Sequence, residues 1–298
     1  MTHEECETIL RGLLQESKFA KAIEFVESSR LNVPDDIPIE SIRYRVDCLN
    51  KLREACLSND GWSLQRESED LRTFYRNLEG TSNIHSIRLD GDVDAPVFTL
   101  LTLFHEVDLF KKWIPSYSFL GLSFSRLLDH PSPTELIVHL SFNVPWPFRS
   151  RYTLFRCEGI DCIDDKENPQ IAVILNNLTC EEDYGVEDPG VKTTFYDPSG
   201  ILLTPLGAGK TRVQIVVNVD PQIPLVPDWL IDLAVRNLAF LIVYRIRAAV
   251  EIVKDDDEYM QRSNDPQSAF YEHLRRRFRE SWPDEPISLL NQQQPPTD

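Results

Sequence analysis

The sequence predicts an α+β protein: a curved antiparallel sheet of many strands, covered on its concave face by one long C-terminal helix, with a helical extension before it. Three observations predict this. Residues 3–57 carry apolar side chains at helical spacing. From Gly61 to Asp220 the period falls to two. From Pro227 to about Lys254 the helical spacing returns. With 298 residues, 42% of them hydrophobic, the chain has material for one or two domains with a real core. Its net charge of −17 opposes general nucleic-acid binding and a large footprint on anionic membranes.

In chain order, Ile9, Leu10, Leu13 and Leu14, then Phe19, Ile23 and Val26, mark two helices that end at Asn32-Val33-Pro34. A third, from about Pro38 to Leu57, carries Ile42, Val46, Leu49, Leu52 and Cys56. Short strands follow at Trp62–Arg66, Leu71–Asn77 and Ile84–Leu89. Pro96 opens a helix that runs to Trp113 and stops before Pro115. A strand over Leu122–Asp129 turns at His130-Pro131-Ser132-Pro133 into Thr134–Val144. There Leu136, Val138, Leu140, Phe142 and Val144 alternate with Glu135, His139, Ser141 and Asn143, the signature of one buried face. After an interruption at Pro145–Arg151, strands are expected at Tyr152–Cys157, Ile171–Leu178, Lys192–Tyr196, Gly200–Pro205 and Thr211–Asp220. The domain expectation is a helical extension over 1–57, a sheet-and-helix domain over 58–255, and a tail over 256–298. In that tail Phe270, Leu274, Phe278 and Trp282 oppose Arg275, Arg276, Arg277 and Arg279. Such a basic amphipathic helix suits a membrane surface or a partner, or folds back on the acidic body, which is the favoured reading.

A helix laid across a strongly curved sheet leaves a gap, and apolar ligands occupy such gaps. The candidate walls are Leu136, Val138, Leu140, Phe142, Val213, Ile215 and Val217 on the strands, and Leu230, Leu233, Ala234, Asn237, Leu241 and Tyr244 on the long helix. Asn237 is the one amide on that stripe, so it needs a partner, either backbone, water or a ligand's polar group. Trp146 and Phe148, flanked by Arg149 and Arg151, combine rings and cations as a bilayer interface favours. They are the candidate gate or membrane contact. Arg72, Arg76, Arg88, Arg126 and Arg212 are candidate clamps for a polar head group, with Arg212 more suited to solvent.

The stretch from Trp62 to about Lys254 resembles a START domain. The residues that carry the likeness are the helix ending at Trp113, the loop Pro145-Trp146-Pro147-Phe148-Arg149-Ser150-Arg151, the strand from Thr211-Arg212-Val213 to Asp220-Pro221, and the helix start Pro227-Asp228-Trp229-Leu230. The resemblance implies the helix-grip fold and a lipid held between sheet and helix. The chain has Arg151-Tyr152 where the family commonly has Arg-Asp, and Ile114 where it often has Asp, so no ligand identity is carried over.

Enzyme signatures are missing: there is no GxSxG, P-loop, GxGxxG or HExxH. His139 with Ser141 and Glu135 reads as a polar outer face rather than acid–base machinery. Cys157 and Cys162 do not have zinc spacing, and no metal or other cofactor is expected. No run approaches the ~18 apolar residues of a spanning helix. The start Met1–Cys6 has no apolar core of a signal peptide, so the expected location is cytoplasmic, with peripheral membrane contact and the six cysteines reduced. The expected function is non-catalytic binding of a single lipid, with transfer or sensing between membranes. The expected partners are the lipid, a transient membrane surface, no nucleic acid, and a protein reached through the helical ends. The alternatives are a helix-grip enzyme acting on a hydrophobic substrate, or an interaction scaffold whose cavity stays empty.

Overall fold

The computed structural model describes residues 2–77, 84–117, 120–165, 167–178, 184–207, 209–223 and 239–289. Three helices open the chain: α1 (His3–Gln15), α2 (Phe19–Ser29) and α3 (Ile39–Leu57). Thr2 and Glu5 form a reciprocal capping box at the start of α1, satisfying two of its free amides. The sheet strands are β1 (Ser63–Ser68), β2 (Leu71–Asn77), β3 (His85–Val93), β4 (Ser116–Tyr117), β5 (Leu120–Ser132), β6 (Glu135–Asn143), β7 (Arg151–Cys162), β8 (Gln170–Asn177), β9 (Val191–Lys192), β10 (Thr194–Gly207) and β11 (Lys210–Asp220). Their spatial order is β1-β2-β3-β11-β10-β8-β7-β6-β5-β4, antiparallel throughout and unclosed, with β9 lying parallel beside β7. Between β3 and β4 come α4 (Val97–His105) and a 3-10 helix (Val107–Lys112). After β11 come α5 (Ala239–Asp255), α6 (Asp257–Ser263) and α7 (Ala269–Ser281). This is the α+β helix-grip architecture.

The two faces of the sheet meet different partners. On the inner face Ile171, Leu203 and Val213 join α4, buried over Val97–Leu103, the inward side of α5, and Tyr259, Phe270, Leu274 and Phe278 from α6 and α7. On the outer face Ile160, Ala172, Ile174, Leu202 and Val216 pack under α1–α3. Alternation along each strand supplies both sets: Ile171 faces inward, and Ala172 and Ile174 outward. The contact with α3 is close at Gly200, where an added Cβ would lie 2.8 Å from Leu52 Cδ2 and 2.5 Å from the Val173 carbonyl oxygen. Only glycine fits there.

Several sequence expectations change. The face of β6 opposite the apolar one is buried rather than solvated: Ile137, His139 and Ser141 are covered, and Arg45 from α3 reaches Glu135 (2.9 Å) and Glu158 (2.6 Å). Arg45 of α3 and, at His139 and Ser141, Asp188 replace water there. The helix expected to run to Trp113 breaks at Glu106, whose carboxylate accepts from Arg262 (2.9 Å) and Tyr271 (2.7 Å). The two strands expected at 192–205 are one, β10, with an irregularity between Tyr196 and Gly200. The turn between β5 and β6 is at Pro133-Thr134. Ser268 caps α7, its side chain accepting from the Tyr271 amide. Within 256–289, α6 and α7 share the inner core, and Glu285 accepts from the Val97 amide at 2.5 Å, capping α4. The helical ends offered for partner docking are therefore packed within the chain.

Candidate functional site

A pocket of about 280 Å³ lies between the inner face of the sheet and the helices. On the strands its wall is Leu136, Val138 and Leu140 of β6, Phe155 and Cys157 of β7, Val173 and Leu175 of β8, and Ile215 and Val217 of β11. Register explains the continuity: Leu136 lies opposite Cys157 and Val138 opposite Phe155, so alternate residues of neighbouring strands form one apolar surface. Opposite stand Leu101 and Phe104 of α4, Phe110, Trp113 and Ile114, then Ile242 and Ile246 of α5, and finally Phe270, His273, Leu274 and Arg277 of α7.

Five of the strand residues expected in the wall are there: Leu136, Val138, Leu140, Ile215 and Val217. Phe142 packs, half-buried, on the same cluster without lining the pocket, and Val213 is buried in the core it shares with α4. On the long helix Leu230, Leu233, Ala234 and Asn237 lie outside the described residues. Leu241 is not part of the wall, and Tyr244 is 62% exposed. The inward face is instead Ile242 and Ile246, with Val243, Ala249, Val250 and Val253 buried around them. Arg247 fixes that rotation. Its guanidinium donates to the Asp92 carbonyl (2.7 and 3.1 Å) and the Asp70 carbonyl (3.0 Å), pinning α5 to the ends of β2 and β3.

The loop after β6 is only partly as expected. Trp146 is 89% exposed, Phe148 half-buried and Arg149 exposed, its guanidinium donating to the Pro189 carbonyl. Arg151 is not a surface contact. It is buried, and donates to the carbonyls of Pro221 (2.5 Å) and Gln222 (3.3 Å) and to that of Arg149. By bonding carbonyls of both, it ties the loop to the connector that leads toward the long helix.

None of the strand arginines lines the pocket. Arg88 is 1% exposed but faces α3. It donates to the Ala55 (2.8 Å) and Ser58 (2.7 Å) carbonyls and to Asn59 Oδ1 (2.5 Å). Arg72 pairs with Asp90 (3.5 Å), Arg212 with Asp92 (3.1 Å), Arg76 stacks on Trp62, and Arg126 is exposed. Among the described residues the arginine in the wall is Arg277, which the sequence places on the basic face of its helix. The available signal was spacing: Arg277 follows Leu274 by three, so it shares the apolar stripe.

The polar chemistry of the pocket is sparse. Burial pushes the Cys157 thiol up to about 12 and so keeps it protonated. Burial also takes His105, stacked flat on Phe270 with ring centroids 3.6 Å apart, down to about 3, and lowers His273. His139 and Ser141 are on the other face. There His139 Nε2 meets Asp188 Oδ2 at 3.1 Å and Ser141 Oγ at 3.1 Å, and Ser141 also donates to Asp188. Serine and carboxylate converge on the same ring nitrogen, so the proton relay of a triad, which needs them on opposite nitrogens, is not built. Glu135 is held by Arg45 and Arg156 instead. Among the described residues no cluster of His, Cys, Asp or Glu suits a metal ion, and no described helix is long and apolar enough to cross a membrane.

A family model described as START domain matches residues 46–255. The chain belongs to that family, and membership supports lipid binding and transfer in general terms. Among solved structures, human STARD10 is similar at 16% identity and a TM-score of 0.59, covering 82% of this chain and 89% of that one. Human StAR-related lipid transfer protein 5 is similar at 15% identity and a TM-score of 0.56, covering 72% and 99%. A STAR-related lipid transfer protein fragment from Xanthomonas axonopodis is similar at 20% identity and a TM-score of 0.51, covering 64% and 98%. These likenesses are of fold. No curated protein matches the chain significantly in sequence.

Proposed function

We propose that this chain binds a single lipid in the pocket between sheet and α5 and carries it between membranes without changing it chemically. The observation that carries this reading is the pocket itself, about 280 Å³ with an almost entirely apolar wall, in a chain of a lipid-transfer family. The size is near the lower end of the roughly 300–1,000 Å³ of small-molecule sites, which favours a compact or single-chain apolar body. At about 0.8 kcal/mol per methylene, ten methylenes contribute about 8 kcal/mol, a micromolar dissociation constant before the cost of immobilising them. The non-catalytic part rests on the wall's few titratable groups: a thiol held protonated, two histidines held neutral, and an aspartate already paired with Arg277.

Trp146 and Phe148, with Arg149, are the proposed membrane-touching gate. The amphipathic indole suits the lipid headgroup region, and Arg151 couples the loop to the connector before the long helix. A cytoplasmic location with transient membrane contact fits the free thiols at Cys6, Cys48, Cys56, Cys157 and Cys162. Transfer of fluorescent lipid between liposomes tests the gate. Trp146→Ala with Phe148→Ala should slow transfer several-fold while leaving the amount of bound lipid unchanged; undiminished transfer would remove the loop from the mechanism. In the same assay Val138→Trp, which fills the pocket, should abolish binding altogether.

A further inference from the structure

The pocket wall turns polar where α7 closes it. There Arg277, 2% exposed, lies beside Asp161, with His273 one turn earlier on the same helix. Arg277 Nε donates to Asp161 Oδ2 at 2.6 Å and Nη1 to Glu280 Oε2 at 2.9 Å. Its Nη2 is 3.1 Å from Asp164 Oδ2 but makes no hydrogen bond with the protein. A buried guanidinium N–H left without a hydrogen bond is costly, so the partner is to be sought in the pocket. Asp161 has capacity to spare: its oxygens accept from the Ile163 amide and Arg277 Nε, and a carboxylate offers about four acceptor sites.

We propose that this corner holds the hydroxyl end of a neutral lipid, Arg277 Nη2 donating to the hydroxyl oxygen and Asp161 accepting the hydroxyl proton. The inference rests on the pocket being a lipid site. It assigns head-group selection to a helix outside the residues 46–255 that match the family. Charge decides against an anion. Arg276, Lys18 and Lys21 around this corner are answered by Glu16, Asp164 and Glu280, so a phosphate or carboxylate would find no excess positive charge. Trp113 Nε1 is a second buried N–H without a hydrogen bond in the wall, but it is a donor only and cannot serve both halves of a hydroxyl. Both ends of the chain build the corner: the Asp161 amide donates to the Ser17 carbonyl in the α1–α2 turn, and Arg276 of α7 pairs with Glu16 at 2.7 Å.

The test is displacement of a bound fluorescent fatty-chain probe from the full chain by dodecanol, dodecyl methyl ether or dodecyl phosphate. Dodecanol should bind about ten- to a hundredfold more tightly than the ether, the range of one hydrogen bond to a charged group. Asp161→Leu should erase that preference, Arg277→Met should weaken alcohol and ether alike because both accept from Nη2, and Trp113→Phe should leave both unchanged. Equal affinity of alcohol and ether for the unaltered protein overturns the assignment without any variant having to fold. So does tightest binding of the phosphate, a preference that survives Asp161→Leu, or alcohol and ether affinities unmoved by Arg277→Met. If none of the three displaces the probe, the lipid-site reading falls, and this inference with it.

Discussion

Arg88 and Arg277 are both arginines with almost no exposure, and they do different things. Arg88 sits on a strand but turns outward, where its guanidinium serves as the C-terminal cap of α3 over the ring of Phe74 (3.9 Å). Replacing it with Met should lower the unfolding free energy by about 2–4 kcal/mol, because several buried carbonyls lose their donor at once; urea denaturation checks this. Glu285 makes the opposite kind of statement. Burial pushes its carboxyl from the ordinary 4.5 up to about 7, despite the hydrogen bond from the Val97 amide. The folded protein then holds a proton between those values that the unfolded chain has released, so this residue's contribution to stability falls as pH rises from about 4.5 through 7. Glu285→Gln should flatten that part of the stability–pH curve and raise the melting temperature above pH 7. A melting temperature equally pH-dependent in the variant would place the titration elsewhere. Neither role was legible in the sequence, since a strand arginine and an acidic residue in a C-terminal segment have many more solvated precedents than buried ones.

Strand periodicity was the strongest signal, and it located the pocket side of β6 and β11 through Leu136, Val138, Leu140, Ile215 and Val217. Periodicity reports which residues share a face, but not what lies beyond it. His139 and Ser141 looked solvated because they are polar, yet the 184–190 segment covers them through Asp188. The long helix was harder to orient, because Ala239–Val243 is apolar all round; Arg247, hydrogen-bonded to two strand-end carbonyls, sets its rotation. Gly200 marks a close approach between helix and sheet. Gly200→Ala should cost about 1–3 kcal/mol from the forced retreat of the Val173 carbonyl and of Leu52 on α3, measurable as a fall in melting temperature; an unchanged value would mean both are free to shift.

The packing of the chain extends beyond its family match. Phe270, Tyr271, Leu274 and Phe278 are buried against α4 and the sheet, and polar links from Glu106 and Glu285 fasten the same segment. At about 1.5–3 kcal/mol each, four such side chains contribute up to about 6–12 kcal/mol, comparable to the whole stability of a typical protein. A chain ending at Asp255 should therefore lose cooperative unfolding and bind a hydrophobic dye; a sharp melting transition in that truncation would show the segment to be dispensable. The resemblance resting on the helix ending at Trp113, the loop at 145–151, the strand from Thr211 and the helix start at Pro227 identified the fold, but the contribution of α7 lay outside its reach.

Native mass spectrometry of the full chain after incubation with mixed-lipid vesicles, with extraction and identification of what remains bound, bears most directly on all of this. We expect one lipid per chain, lost in the pocket-filling Val138→Trp variant and retained when Trp146 and Phe148 are replaced by Ala. A chain that emerges empty, or one that carries a variable number of lipids indifferent to Val138→Trp, would contradict a single ligand held between the sheet and its helices.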